Sequence, residues 1–417
     1  MNNRFLIGLF VILYMIHDIP AISVVYPGSV YGVVTIGTFI LLLISIKLEK
    51  VFVLLPFFLI PLFDTLFNFG NAGIMPFVGL IKQSIYPLAG ICVIQRRDKN
   101  LGGLFLGTFF LLYTATCITT SIGLLSFPNA SRMQAMGDAA KTPEYWLYQR
   151  MNIGGFDFIY TLVVLLPICI LIWQYRKSLF KGVKFSKILN LMIILTIALV
   201  YWTIVSSNYT TALILSTSCF ALLFVRRKLH MRRLIIISIV VLILFYFGKM
   251  FIGDVLISVS QNVDSEVVQE RLNDLGRSIQ GKATEGNDFD ERQRVWEKSW
   301  NTFLDNPIGN RFSGSVSGSV SGSVGGSVDG SIGGHSVWLD ALAKYGIIGL
   351  AFIFILLRSM NVHIMKKIPD WKIYNSILMV CIYFFITALL NPHLYYNVLL
   401  FVCPIFLYRF MGIKLFF

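Results

Sequence analysis

Apolar runs long enough to cross a bilayer recur along the whole chain, and that feature excludes most folds. A helix needs about 20 apolar residues to span roughly 30 Å of hydrocarbon. Read from one polar break to the next, twelve runs fall at about 5–17, 26–46, 51–68, 73–94, 101–126, 157–174, 188–206, 209–225, 234–252, 337–357, 374–390 and 396–410. The 417 residues are 56% hydrophobic and 13% charged, whereas soluble domains average about 45–50% apolar and about 25% charged. A soluble globular protein and a mostly disordered chain are both excluded. So is a disulfide scaffold, because Cys92, Cys117, Cys169, Cys219, Cys381 and Cys403 all lie inside apolar runs. The net charge of +14 sits in short clusters between the runs, which excludes a nucleic-acid partner. The sequence predicts an all-α polytopic membrane protein of about 12 transmembrane helices.

Lysine and arginine gather on the cytoplasmic side of such proteins. Arg4, Lys47 with Lys50, Arg96 to Lys99, the clusters 176–187, 226–233 and 358–372, and Arg409 with Lys414 all fall on one side of a twelve-span arrangement. No small-residue cleavage site follows His17-Asp18, so the short first run is read as a span. The fourth run is interrupted by Lys82 and Gln83. Residues 1–252 then hold helices 1–9, with an extracytoplasmic loop at 127–156. A second extracytoplasmic loop covers 253–336, and helices 10–12 occupy 337–417. Long loops without apolar runs are commonly functional or disordered, and the second one carries twelve of the chain's 21 acidic residues.

Two segments of that loop have patterns of their own. Residues 288–304 read as an amphipathic helix, with Trp296, Trp300 and Leu304 at i, i+4 and i+8. Asp288 or Asp290 can cap its start and Asn306-Pro307 closes its end. Arg292 lies one turn before Trp296 on the apolar side, and Arg294 projects from the other. An interfacial helix whose arginines meet lipid phosphates accounts for this pattern too. Residues 314–332 repeat Gly-Ser-Val from Gly314 and end on Gly330-Ser331-Ile332. Only one residue in four is apolar, so the repeat reads as a flexible linker. Its length is expected to change without loss of function. A shortened repeat that abolishes activity while the protein still reaches the membrane would refute this.

After the repeat, His335-Ser336 opens an apolar helix. Ser336 is placed to cap it, and Asp340 lies near its positive end. Gly346 and Gly349 allow close helix packing. A histidine at a helix start has a structural reading and a functional one, since a helix N-terminus favours anions such as phosphate. Here the combination is specific. His335-Ser336, followed by Gly346 and Gly349, resembles the signature of the O-antigen ligase and O-antigen polymerase superfamily. The upstream stretch is similar too, with Arg292 four residues before Trp296 on a helix ending in a proline–glycine turn, Asn306-Pro307-Ile308-Gly309. One departure is visible. Where the family often carries Ser-Arg-Gly at the outer end of a mid-chain span, this chain reads Ser206-Ser207-Asn208-Tyr209-Thr210.

The resemblance implies glycan transfer from an undecaprenyl-pyrophosphate carrier on the periplasmic face of the bacterial inner membrane. It also implies lipid-linked glycans and membrane lipid as partners, with a chain-length regulator protein as a further partner. Such a reaction needs a base near neutral pKa for the acceptor hydroxyl, and histidine supplies one. It needs cations for the departing pyrophosphate, to which arginine offers a planar fork. His335 is the candidate catalytic residue. Arg292, Arg294, Arg150 and Lys82 are the candidate pyrophosphate or glycan ligands, and Trp296, Gly346 and Gly349 the motif framework. Arg132 and Lys141 belong to the same loop as Arg150. Lys82 lies within a span, where an ionisable residue is a functional candidate by default, or else pairs with Asp64. Asp288-Phe289-Asp290 fits a metal-binding spacing that arises readily in an acidic loop, and neither metal nor cofactor is expected. His17-Asp18 reads as a surface pair, and Asn391, His393 and Asn397 as a polar cap. Paired outer loops favour a polymerase over a ligase. A transporter or flippase would show mid-membrane ion pairs and an internal repeat of spans, for which Asp64 and Lys82 are the one candidate pair.

Overall fold

Buried backbone polar groups have no water partner within a bilayer, so each apolar run must satisfy its own N–H and C=O groups, and a helix does this. The computed structural model describes residues 3–26, 28–72, 75–134, 142–179, 186–229, 251–262, 269, 272–273, 276–277, 280, 288–310, 332, 336–391 and 393–415. Among them the regular structure is helical throughout and contains no strand. The principal helices are α1 (Asn3–His17), α2 (Gly28–Ser45), α3 (Leu55–Ala72), α4 (Met75–Arg96) and α5 (Lys99–Ser126). They continue with α6 (Pro143–Arg150), α7 (Phe156–Leu179), α8 (Ser186–Ser206), α9 (Thr210–Cys219) and α10 (Asp288–Asp305). The last four are α11 (Val337–Tyr345), α12 (Ile347–Ser359), α13 (Trp371–Leu390) and α14 (Cys403–Met411). Seven described helices are long and apolar enough to cross a membrane, and shorter apolar helices accompany them. This is a polytopic membrane protein.

The burial pattern separates protein-facing from lipid-facing helices. Every residue of α7 from Ile159 to Leu171 is buried, as expected of a helix that is apolar all round and enclosed by others. It packs against α13, α8 and α9. On α2, Val33, Ile36, Ile40 and Ile44 form an exposed stripe at helical spacing, and Ile188, Leu191 and Leu195 do the same on α8. Those faces are exposed and apolar, as expected of surfaces turned to lipid. Polar side chains inside the bundle bond locally or across helices: Thr38 donates to Val34 O at 2.6 Å, and Ser121 on α5 meets Thr203 on α8 at 3.0 Å. At the end opposite the large loop, Asp370 caps α13 by accepting from the amides of Lys372 and Ile373. Burial alone raises its pKa. The Tyr175 hydroxyl, those two amides and Lys372 outweigh burial and hold the carboxyl below its ordinary range.

The twelve predicted runs are modified at particular places. The fourth is one continuous helix, α4, that accommodates both Lys82 and Pro87. The ninth, 234–252, lies almost wholly outside the described residues. The loop at 127–156 holds two short helices, Ala130–Met133 and α6. The tenth run is not one helix. It breaks at Gly346, whose φ of 58° ends α11 before α12 begins. The chain turns so sharply there that a Cβ on Gly349 would lie 2.3 Å from Ala341 O. Eight residues of straight helix would hold those positions about 12 Å apart, so α11 folds back against α12. The expected use of Gly346 and Gly349 for close packing is correct, but the partners are their own chain's neighbouring segments.

Candidate functional site

Helix α10 covers 288–305, in agreement with the predicted amphipathic segment, and stops where Pro307 has no N–H to extend it. It lies beside α11, and the two run in the same direction. The Ser299 hydroxyl donates to Asp340 Oδ1 at 2.7 Å, with both residues buried. Just past the ends of both helices Ile347 N donates to Pro307 O at 2.9 Å, so along the helices themselves the Ser299–Asp340 bond sets the pairing, at an offset of 41 residues. Carried back along both helices, this register sets Ser336 level with Val295, beside Arg294 and Trp296 in the chain. Arg292 occupies the heptad position two turns before Ser299. Ser336 caps α11 as expected, accepting from Leu339 N at 3.2 Å. Asp340 lies in the first turn, where a carboxylate is favoured by the helix dipole.

The far ends of the two helices interlock through glycine. Gly309 has φ 105° and Gly346 φ 58°, conformations that L side chains rarely adopt. A Cβ on Gly346 would lie 2.1 Å from Pro307 O, and one on Gly309 would lie 2.5 Å from Tyr345 C. Asn310 N also donates to Ala343 O at 3.2 Å. The proline–glycine turn of the predicted motif therefore seats on the break between α11 and α12. Motif residues separated by the whole Gly-Ser-Val repeat form one unit.

That unit is pinned to the bundle at two points. The Trp338 indole donates to Phe385 O at 2.8 Å, and its ring stacks on Phe385. Lys344 Nζ and the Tyr345 hydroxyl both reach Asp64 Oδ1 on α3, at 3.0 and 2.5 Å. The alternative pairing of Lys82 with Asp64 is overturned here, because the carboxylate of Asp64 is engaged by α11 instead. Hydrogen bonds to a charged group contribute about 1.5–3 kcal/mol each. Asp64→Ala is expected to lower the melting temperature of the detergent-solubilised protein, and adding Lys344→Met to it should cost little more, because both remove one interaction. Fully additive losses would argue against the pairing.

The other candidates are distributed as follows. His335 and the side chain of Arg292 lie outside the described residues, as do Lys141 and the side chains of Asp288 and Asp290. Arg294 is exposed on α10, and Trp296 is half-buried, with an indole nitrogen that is buried and has no partner among the described residues. Arg150 is exposed in the last turn of α6. Lys82 belongs to a separate cluster, its ammonium 4.5 Å from the Tyr31 ring centre and acting electrostatically on His17 and Asp18. His17 stacks on Tyr31, and Asp18, which is exposed as a surface residue, accepts from Tyr86. Asn397 donates to Tyr113 and Thr161, and His393 faces Asp157 at 3.7 Å. At the place where the family often has arginine, Asn208 takes φ 58°, and Tyr209 donates to Ser131 O at 2.9 Å.

Residues 191–354 match the family model described as O-antigen ligase. In that segment the chain is similar to the O-antigen polymerase and ligase superfamily. The matched segment runs from α8 through α11 into α12, so it contains both halves of the interlocked unit. No curated protein and no solved structure matches the chain. Members of this superfamily are membrane glycosyltransferase-like enzymes, and their substrates are lipid-linked glycans. Sequence reasoning missed the Ser299–Asp340 and Asp64–Lys344–Tyr345 contacts. The available signals were a serine on the apolar side of α10, an acidic residue in a span and a basic residue in a predicted span, but spacing alone does not pair residues so distant in the chain.

Proposed function

We propose that this protein polymerises undecaprenyl-pyrophosphate-linked repeat units into O-antigen or a related surface polysaccharide, at the periplasmic face of the bacterial inner membrane. The register of α10 against α11 carries the reading: it sets Val295, one helical turn after Arg292, level with the Ser336 cap that directly follows His335. In the proposed reaction the acceptor hydroxyl oxygen forms a bond to the anomeric carbon as the bond to the pyrophosphate oxygen breaks. His335 takes the hydroxyl proton. The electron pair leaves on the pyrophosphate, whose charge Arg292 stabilises, with Arg294, Arg150 and Lys82 contributing binding to phosphate or glycan. The free energy of transfer resides in the pyrophosphate ester, so the scheme draws on no cofactor. A chain-length regulator is the expected protein partner.

Transfer of finished polymer to lipid A–core is the second reading, favoured by the description of the matching family model. The lipopolysaccharide gel profile of a strain lacking the protein separates the two. Core bearing a single repeat unit supports the polymerase, whereas bare core with polymer left on its carrier supports the ligase. An unchanged ladder, with capsule and exopolysaccharide also intact, would overturn both.

A further inference from the structure

Helix α10 has three faces, of which the seam against α11 accounts for one. Ser299, with Val295, Thr302 and Phe303 around it, lines the seam side. Arg294, Glu297, Lys298, Asn301 and Asp305 are all exposed and cluster on the opposite side. Between them runs a stripe that neither packing nor hydration explains: Trp300 is 46% exposed, Leu304 56% and, just past the helix end, Ile308 71%. The stripe does not stop at the turn. Because Ile347 N bonds to Pro307 O, Ile308 lies next to Ile347, itself 61% exposed. From there the apolar surface continues along α12 through Leu350 and Phe354, the outward side of a helical stretch, Ile347–Lys367, long enough to span a membrane.

We propose that Trp300, Leu304 and Ile308 form a lipid-docking surface that seats α10 in the headgroup and upper acyl region of the adjoining bilayer leaflet. The occupant follows from continuity. The stripe extends the exposed apolar side of a span-length helix, and water against it would leave one contiguous apolar patch half wet. Tryptophan at the start of the stripe matches its preference for the membrane–water boundary, and exposed Lys298 on the polar side is placed for headgroup phosphates. The inference concerns this surface alone and holds whether or not the catalytic reading does.

Single cysteines placed by Trp300→Cys, Leu304→Cys and Ile308→Cys, with Lys298→Cys and Asn301→Cys as polar-face references, carry a nitroxide label in full-length protein reconstituted into phosphatidylethanolamine–phosphatidylglycerol vesicles. The six native cysteines are buried, and the unsubstituted protein reports any background labelling. The expected result is loss of relaxation by a water-soluble nickel chelate at 300, 304 and 308, with oxygen relaxation retained, and full nickel access at 298 and 301. Equal nickel access at all five positions would put the stripe in water and overturn the proposal. Access to neither reagent at the stripe would mean that protein, either another loop segment or a second copy, covers it, which also overturns the proposal. No arm depends on turnover, so failure here and failure of the proposed function are distinguishable.

Discussion

Replacing His335 by alanine is expected to lower transfer about 10²–10⁴-fold, the range of a general base that acts in the rate-determining step. Arg292→Ala should lower it by about 10²–10³-fold, the loss that follows removal of one positioned donor to developing negative charge. Arg292→Lys should recover only part of that loss, since an ammonium keeps the charge but not the planar fork. The measurement is polymer formation from lipid-linked repeat units by the purified protein in vesicles, with matched amounts of folded protein. Full activity in both His335→Ala and Arg292→Ala would remove this mechanism and leave the two residues with structural roles only.

The largest expected effect on stability comes from Gly346→Ala. The backbone there has φ 58° and ψ −133°, which costs a residue with a side chain about 1–3 kcal/mol before any contact is considered. Contact adds to this, because the new methyl would lie 2.1 Å from Pro307 O and 2.5 Å from Gly309 N. Both are backbone atoms held by the interlocked turn, so no rotamer change relieves the clash. Gly412 provides the control. It has φ 68° but nothing within 4 Å of an added Cβ, so Gly412→Ala should show only the conformational cost, about 1–2 kcal/mol. Thermal melts in detergent, together with proteolysis near 306–310, report the difference. Equal melting temperatures for the two variants would refute the interlock of the proline–glycine turn with the α11–α12 break.

The membrane class and the helical character were legible because hydrocarbon imposes a length and a composition on each segment independently of the others. The amphipathic helix at 288–305 was legible for a similar reason: its periodicity and its closing proline are local. The Ser336 cap is also local, since it depends on a hydroxyl three residues from the amide it accepts. The tenth span was misread because an apolar run that bends looks the same in composition as one that does not. Gly346 and Gly349 were noticed, yet a glycine reports that close approach is allowed and not what approaches. The alternative pairing of Lys82 with Asp64 does not form for a related reason, since opposite charges in neighbouring spans are attractive only if they lie at the same depth and face each other.

Taken alone, the sequence determined that this chain lives in a membrane as a bundle of helices, and it carried residues that resemble the motif of a glycan-transfer family. These are properties of composition, period and short-range spacing. Only the tertiary structure decided that α10 and α11 run parallel in one register, that the turn at 306–309 locks onto Gly346, and that Asp64 belongs to Lys344 and Tyr345. Each of these joins residues 35 or more positions apart. Contacts of that kind are selected by which surfaces fit once all the helices are present, because the chain between them, here including a Gly-Ser-Val repeat, transmits no geometry of its own.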